Sequence, residues 1–224
     1  MELATVARLS PVDRVLPVDE VFAPMLPHAG IQRGQVVGCS GIAGWSLGFG
    51  LIARAVGTGS WAAFVGAPMA GLEAADELGV SLARVVLVDV DGGPSVWAER
   101  VAAAADGFEL IVTCPPTGAE RVARRVRQRL QARGAVLLAL SASHERSPSL
   151  ACDLELTGSA VRWAGIGQGC GHLMARRVTV SVSGRRVPRQ LEREILLPCP
   201  NGRLRALDEQ HVDLQHLDDL EQVG

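Results

Sequence analysis

The stretch Cys39-Ser40-Gly41-Ile42-Ala43-Gly44-Trp45-Ser46 has the spacing of a loop that wraps phosphates. In such a loop backbone N–H groups cradle the phosphates, a lysine reaches the outermost ones and a hydroxyl meets Mg²⁺. Gly44 and Ser46 stand at the last glycine and hydroxyl positions; Cys39 takes the first glycine position, and Gly38 falls one residue early. Trp45 takes the lysine position, which removes the main cation and is expected to put an indole where the γ-phosphate would lie. Without its surroundings the same stretch also reads as an ordinary strand–helix turn. All 22 basic residues are arginine, so the chain has no side-chain amine for a phosphate-loop lysine or a Schiff base.

Other residue sets were weighed for chemistry. Cys114 and His144 form a nucleophile–base pair on paper, but no third group orients them. Zinc would need Cys170 and His172, within Gly165–His172 (GIGQGCGH), to be joined by Cys152 and Cys199 from other strands. The same glycine-rich stretch lacks a preceding strand and a following helix, so it fails as a dinucleotide fingerprint and reads as a loop. LVDVDGG (Leu87–Gly93) offers a metal-binding strand end, and reads more simply as a strand ending in a turn that Asp91 starts. No cofactor and no metal is expected.

Charge is concentrated in three places. The helix Glu120–Arg133 carries Arg121, Arg124, Arg125, Arg127, Arg129 and Arg133 opposite a stripe of Val122, Val126 and Leu130. A second cluster, Arg176, Arg177, Arg185, Arg186, Arg189 and Arg193, straddles a turn at Ser183-Gly184. Both read as a DNA-facing or partner-facing surface, or as plain solvated arginines, and no aromatic residues interleave to stack on bases. The third place is Leu207–Gly224, with six acidic residues and no arginine. There Leu214, Leu217 and Leu220, with Asp218 and Asp219, are the partner-binding candidates, as a segment that folds on a partner or stays unfolded.

The elements that must position these residues alternate. Apolar strands are expected at Gln35–Gly38, Trp61–Gly66, Arg84–Asp89, Glu109–Thr113 and Ala135–Ser141. Helices are expected at Leu47–Val56, Leu72–Leu78, Pro94–Ala105 and Gly118–Arg133. That rhythm implies an α/β fold with a mostly parallel sheet flanked by helices. From Cys152 on, Cys152–Thr157, Val161–Ala164, Leu173–Ser183 and Leu191–Leu197 read as antiparallel extension. The expected organisation is a Pro-rich arm over 1–33 with a short helix around Val18–Leu26, a core over 34–200 and an acidic tail over 201–224. Every apolar run is interrupted by Arg, Asp or Gly, so no membrane span is expected. The unpaired number of cysteines, five, and the absence of a signal peptide fit a reducing cytoplasm.

Across roughly residues 25–200 the order of elements resembles RecA and its relatives. GIQRGQVVGCSGIAGWSLGFGLIARA resembles the RecA strand, phosphate loop and helix, and WAAFVGAPMAGLEAADELGVSLARVVLVDVDGG the next units. FELIVTCPP falls where the Walker B strand would be, and RRVTVSVSGRRVPRQLEREILLP is similar to the segment that closes the RecA core. The resemblance puts Pro68 at the catalytic glutamate, Thr113 at the Walker B aspartate, and Ser141–Ser143 at the glutamine sensor. With Trp45, four functional positions are lost together, so the likeness implies a RecA-like core that does not hydrolyse ATP. A short, lysine-free, degenerate chain of this kind resembles the ImuA-prime proteins of actinobacteria, with GIAGWSLGFGLIARA the most telling stretch.

That resemblance implies an accessory subunit of SOS-induced mutagenic translesion synthesis. It would bind an ImuB-type Y-family-like adaptor, and through it an error-prone C-family polymerase, in the cytoplasm at the nucleoid. RecA itself is the other partner it implies, with the chain as a regulator that binds or caps filaments. Direct DNA contact would fall to Arg121, Arg125, Arg129, Arg176, Arg177, Arg185 and Arg186. An enzyme of another class built on the cysteines is the third alternative.

Overall fold

The computed structural model describes residues 14–141, 150–167, 170–185, 187 and 190–207. Two short strands, β1 (Val15–Pro17) and β2 (Gly30–Gln32), pair antiparallel beside the main domain. The repeating units follow: β3 (Val36–Gly41), α1 (Gly44–Gly57), β4 (Ala62–Val65), α2 (Leu72–Glu77), β5 (Val85–Val88), α3 (Pro94–Ala104), β6 (Leu110–Thr113), α4 (Ala123–Arg133) and β7 (Val136–Leu140). Then come β8 (Leu154–Gly167), β9 (Cys170–Gly184), β10 (Leu191–Leu196) and β11 (Arg205–Ala206).

Among the described residues these build one sheet in the order β11-β10-β9-β8-β3-β7-β6-β4-β5. Strands β3 to β8 pair parallel, and β9, β10 and β11 extend the sheet antiparallel. The fold is mixed α/β with a mostly parallel central sheet, as the alternating apolar runs imply.

Side-chain alternation divides the core. Val37, Cys39, Leu110, Val112, Leu138 and Leu140 face the layer of α1 and α2. Val36, Ile111, Leu137 and Ala139 face α3 and α4 with Trp97, Val126 and Leu130. Both faces of the central strands are covered, which is why VLLAL (Val136–Leu140) is apolar throughout. In the antiparallel part the α1 side is apolar (Val178, Val180, Val182, Ile195), while Thr179 and Ser181 face the other way, where Ala175, Leu196 and Cys199 form a small separate apolar cluster.

Five expectations change in the structure. From Arg14 on, the stretch read as an arm is built into the domain: Leu16, Phe22, Met25 and Ile31 are buried against α1. The helix expected around Val18–Leu26 is a three-residue 3-10 turn, Ala23–Met25, because Pro17, Pro24 and Pro27 withhold donors. The helix expected over Gly118–Arg133 is a 3-10 turn (Ala119–Arg121) entered through left-handed Gly118, with α4 starting only at Ala123. The two strands expected at Cys152–Thr157 and Val161–Ala164 are one strand, β8, whose bulges between Ser159 and Arg162 and between Ala164 and Ile166 absorb the break. Strand pairing also runs on through Ile166↔Gly171 and Gly167↔Cys170, so GIGQGCGH is the end of the β8–β9 hairpin and not a free loop.

Candidate functional site

The parallel strands bring the loops after β3, β4, β6, β7 and β8 to one edge of the sheet, the edge where open α/β folds hold ligands. The loop Gly41–Ala43 joins β3 to α1 there. Gly41 takes φ +80°, and a Cβ on it would stand 2.1 Å from the carbonyl oxygen of Gly158 in β8. The backbone N–H of Ile42 donates to that same oxygen at 3.1 Å, so one loop donor that could meet an anion is spent on β8. Ser40 Oγ lies 3.1 Å from Thr157 Oγ1, and Ser141 N–H donates to the Cys39 carbonyl at 3.3 Å.

The hydroxyl position is also engaged. Arg176, from β9, donates through one terminal nitrogen to Ser46 Oγ at 2.7 Å and through Nε to the Leu197 carbonyl at 2.7 Å. Its guanidinium lies 5.1 Å over the Trp163 ring. Burial lowers the pKa of Arg176, yet the group stays charged, and no carboxylate pairs with it among the described residues. A cation thus does stand beside the start of α1, supplied from a strand 130 positions away rather than from the loop. No local pattern could have foretold it. Trp45, expected over the phosphate position, leans instead onto Phe49 (5.8 Å between rings), which stacks on Phe64 of β4 at 6.1 Å.

The two positions at which the resemblance to RecA would expect acids hold Thr113 and Pro68. Thr113 is fully buried on the α3 side, where its hydroxyl accepts the Trp97 indole N–H at 2.8 Å. The side chain of that strand end that packs on the α1 side is Cys114, whose thiol burial pushes up to about 11. Neither is a carboxylate able to hold Mg²⁺. Pro68 is exposed at the rim of a hollow of about 470 Å³ between the ends of β4 and β5, lined also by Leu72, Leu87, Asp89 and Asp91. From the sequence the two aspartates read as a turn or as a metal-binding strand end; nothing in their spacing points at Pro68.

The basic clusters split. On α4, Arg127 reaches Asp153 at 2.6 Å, and Arg129 and Arg133 both bind Asp106, the latter at 2.9 Å. Arg121, Arg124 and Arg125 are exposed and form no ion pair with a described residue. Arg177 reaches Glu194 at 3.3 Å, and Arg185 is exposed. Arg186, Arg189, His144 and the tail positions Leu214, Leu217, Leu220, Asp218 and Asp219 lie outside the described residues. The four zinc candidates are not brought together as far as the structure describes them: Cys152 packs on the α3 side, and Cys199 beside Ala175 and Leu196. Among the described residues no three His, Cys, Asp or Glu side chains converge to hold a metal, and no helix is long and apolar enough to cross a membrane.

The family model described as MT3502 N-terminal domain matches residues 24–145, from the 3-10 turn before β2 to just past β7. No curated protein matches the chain.

Proposed function

The chain belongs to the MT3502 N-terminal domain family, and from that premise and the state of its phosphate loop we propose that it is a non-catalytic, RecA-like accessory subunit. In this reading it is of the ImuA-prime type and acts in damage-induced mutagenic translesion synthesis by docking an ImuB-type adaptor. The observation that carries the non-catalytic part is the Arg176–Ser46 contact. The hydroxyl that would meet Mg²⁺ already accepts a hydrogen bond from a half-buried guanidinium. Hydrolysis on such a loop needs a cation on the phosphates, a carboxylate for the metal and a group that activates water. The candidate positions hold Trp45, Thr113 and Pro68, and the first two are committed to packing and to a buried hydrogen bond.

The remaining surface suits binding. The same sheet edge exposes Ile42, Trp163 and Met174, large apolar side chains beside a cation. Co-expression with the ImuB-type adaptor of the same organism, followed by size-exclusion chromatography, tests the proposal. Co-elution at a defined ratio, weakened by Trp163→Ala with the variant still folded, is the expected result. Separate elution of two folded proteins would overturn the adaptor reading and move RecA to the head of the partner order.

A further inference from the structure

The N-terminal half of α4 is an unusual place for positive charge. A helix start carries partial positive charge on its unpaired N–H groups and favours carboxylates. The first turn of α4 instead holds Arg124 and Arg125, preceded by Arg121, with no acidic residue in that turn. The other arginines of this helix are neutralised by Asp106 and Asp153. These three are left exposed and without a carboxylate among the described residues.

Beside them, between α3 and α4, lies a hollow of about 430 Å³ floored by Ala102, Ala103 and Ala132 and rimmed by Gln128, by Asp106 with its partner Arg129, and by Arg125, the rim cation that no described carboxylate neutralises. An alanine floor under an arginine rim fits an apolar side chain flanked by carboxylates, and a bare phosphate backbone would leave the floor unfilled. The chain carries a segment of that chemistry. Residues 208–224 hold Leu214, Leu217 and Leu220 among Asp213, Asp218, Asp219 and Glu221.

The point of departure of that segment agrees. Ile195 and Leu197 face the α1 side of the sheet, whereas Leu207 packs in the separate cluster of Ala175, Leu196 and Cys199, on the side that carries α3 and α4. From β11 to β7 there are five strand spacings, about 24 Å. Residues 208–224 at about 3.3 Å each reach about 56 Å when extended; counted from Leu207, Leu214 just reaches the span at about 23 Å, and Leu217 and Leu220 cover it at about 33 and about 43 Å. We infer that the acidic segment 208–224 docks on its own chain, with its leucines in the α3–α4 hollow and its carboxylates on Arg121, Arg124 and Arg125. This inference stands apart from the adaptor proposal and concerns the isolated protein.

Hydrogen exchange on the full-length protein alone tests it. At low ionic strength, amides of 208–224 should exchange at least about fivefold more slowly than in the free peptide of that sequence. The protection should disappear at about 0.5 M salt, where exposed charges are screened. It should also disappear in R121S/R124S/R125S, with the exchange of β3 and β7 unchanged as the control for folding. Combining R124E/R125E with D218R/D219R should restore it. Peptide-like exchange of 208–224 in the wild type, or protection that survives the arginine substitutions, would overturn the inference. Protection that grows with protein concentration would overturn its intramolecular form in favour of a contact between copies.

Discussion

Gly41 shows how tightly the loop between β3 and α1 is specified. Its φ of +80° is strained for any residue with a Cβ, and the neighbour that Cβ would meet is backbone, which cannot swing aside. Gly41→Ala should therefore destabilise the fold by about 2–4 kcal/mol in urea titration. A loss near zero would mean that β3 and β8 part freely at this point. The buried pair Trp97–Thr113 makes a second claim: Trp97→Phe strands a hydroxyl that has no access to water. We expect that substitution to cost about 1–3 kcal/mol in the same assay. Burial disfavours the thiolate at Cys39, Cys114 and Cys152. Burial pushes Cys114 up to about 11 and Cys152 to about 12, with Glu155 and Asp153 adding to the effect on Cys152 against Arg127, and it pushes Cys39 higher still. At pH 8 well under about 1% of each is thiolate. Iodoacetamide should leave all three unmodified in the native protein on a timescale that labels them fully in urea, as read by mass spectrometry. Rapid native labelling of Cys114 would reopen a catalytic role for it.

At the scale of elements, side-chain ties join segments far apart in the chain. Arg33, just after β2, meets Glu109, just before β6, at 2.5 Å. Burial opposes ionisation of Glu109, but the hydrogen bonds from Arg33, Ser60 and the Trp61 N–H outweigh it, so its pKa is lowered. A lowered carboxylate pKa stabilises the fold above the unfolded value of about 4.3 and ceases to do so as pH falls through the folded value. The melting temperature of the wild type should thus exceed that of Glu109→Gln at pH 7, with the gap closing below about pH 4. A gap that persists undiminished at pH 3 would show that the substitution acts through packing. Arg127 performs a similar tie, holding Asp153, whose carboxylate also accepts the Val36 N–H at 2.9 Å, so that α4, β3 and the lead into β8 are pinned at one point.

For the molecule as a whole, the proposal of a non-catalytic scaffold has a direct consequence. Purified protein should show no ATP turnover above that of a heat-denatured control. Turnover abolished by substituting Gly44 or Ser46 would contradict it. The sheet is also asymmetric in a way that suits a docking platform. The central strands of its parallel half are covered on both faces, and its antiparallel half has one face that is polar apart from the small cluster of Ala175, Leu196 and Cys199. The β8–β9 hairpin carries exposed Trp163, Leu173 and Met174 away from the core.

What the sequence determined by itself was the layout of the parallel half. Buried parallel strands must be continuous apolar runs, and LIVT and VLLAL are visible as such without any partner strand, whereas VVLV is an apolar run at the half-exposed edge strand β5. Gly44 and Ser46 mark the turn from β3 into α1, and a chain without lysine can set only an arginine or a histidine as the cation beside it. Tertiary structure alone decided what fills that place. Arg176 reaches Ser46, Trp97 reaches Thr113 and Trp45 turns to Phe49 through contacts set by strand order and face, and period and propensity carry no information about either. The N-terminal stretch was misread for a related reason. Its prolines suppress regular elements, so the burial of Leu16, Phe22 and Ile31 against α1 leaves no periodic trace in the residues themselves.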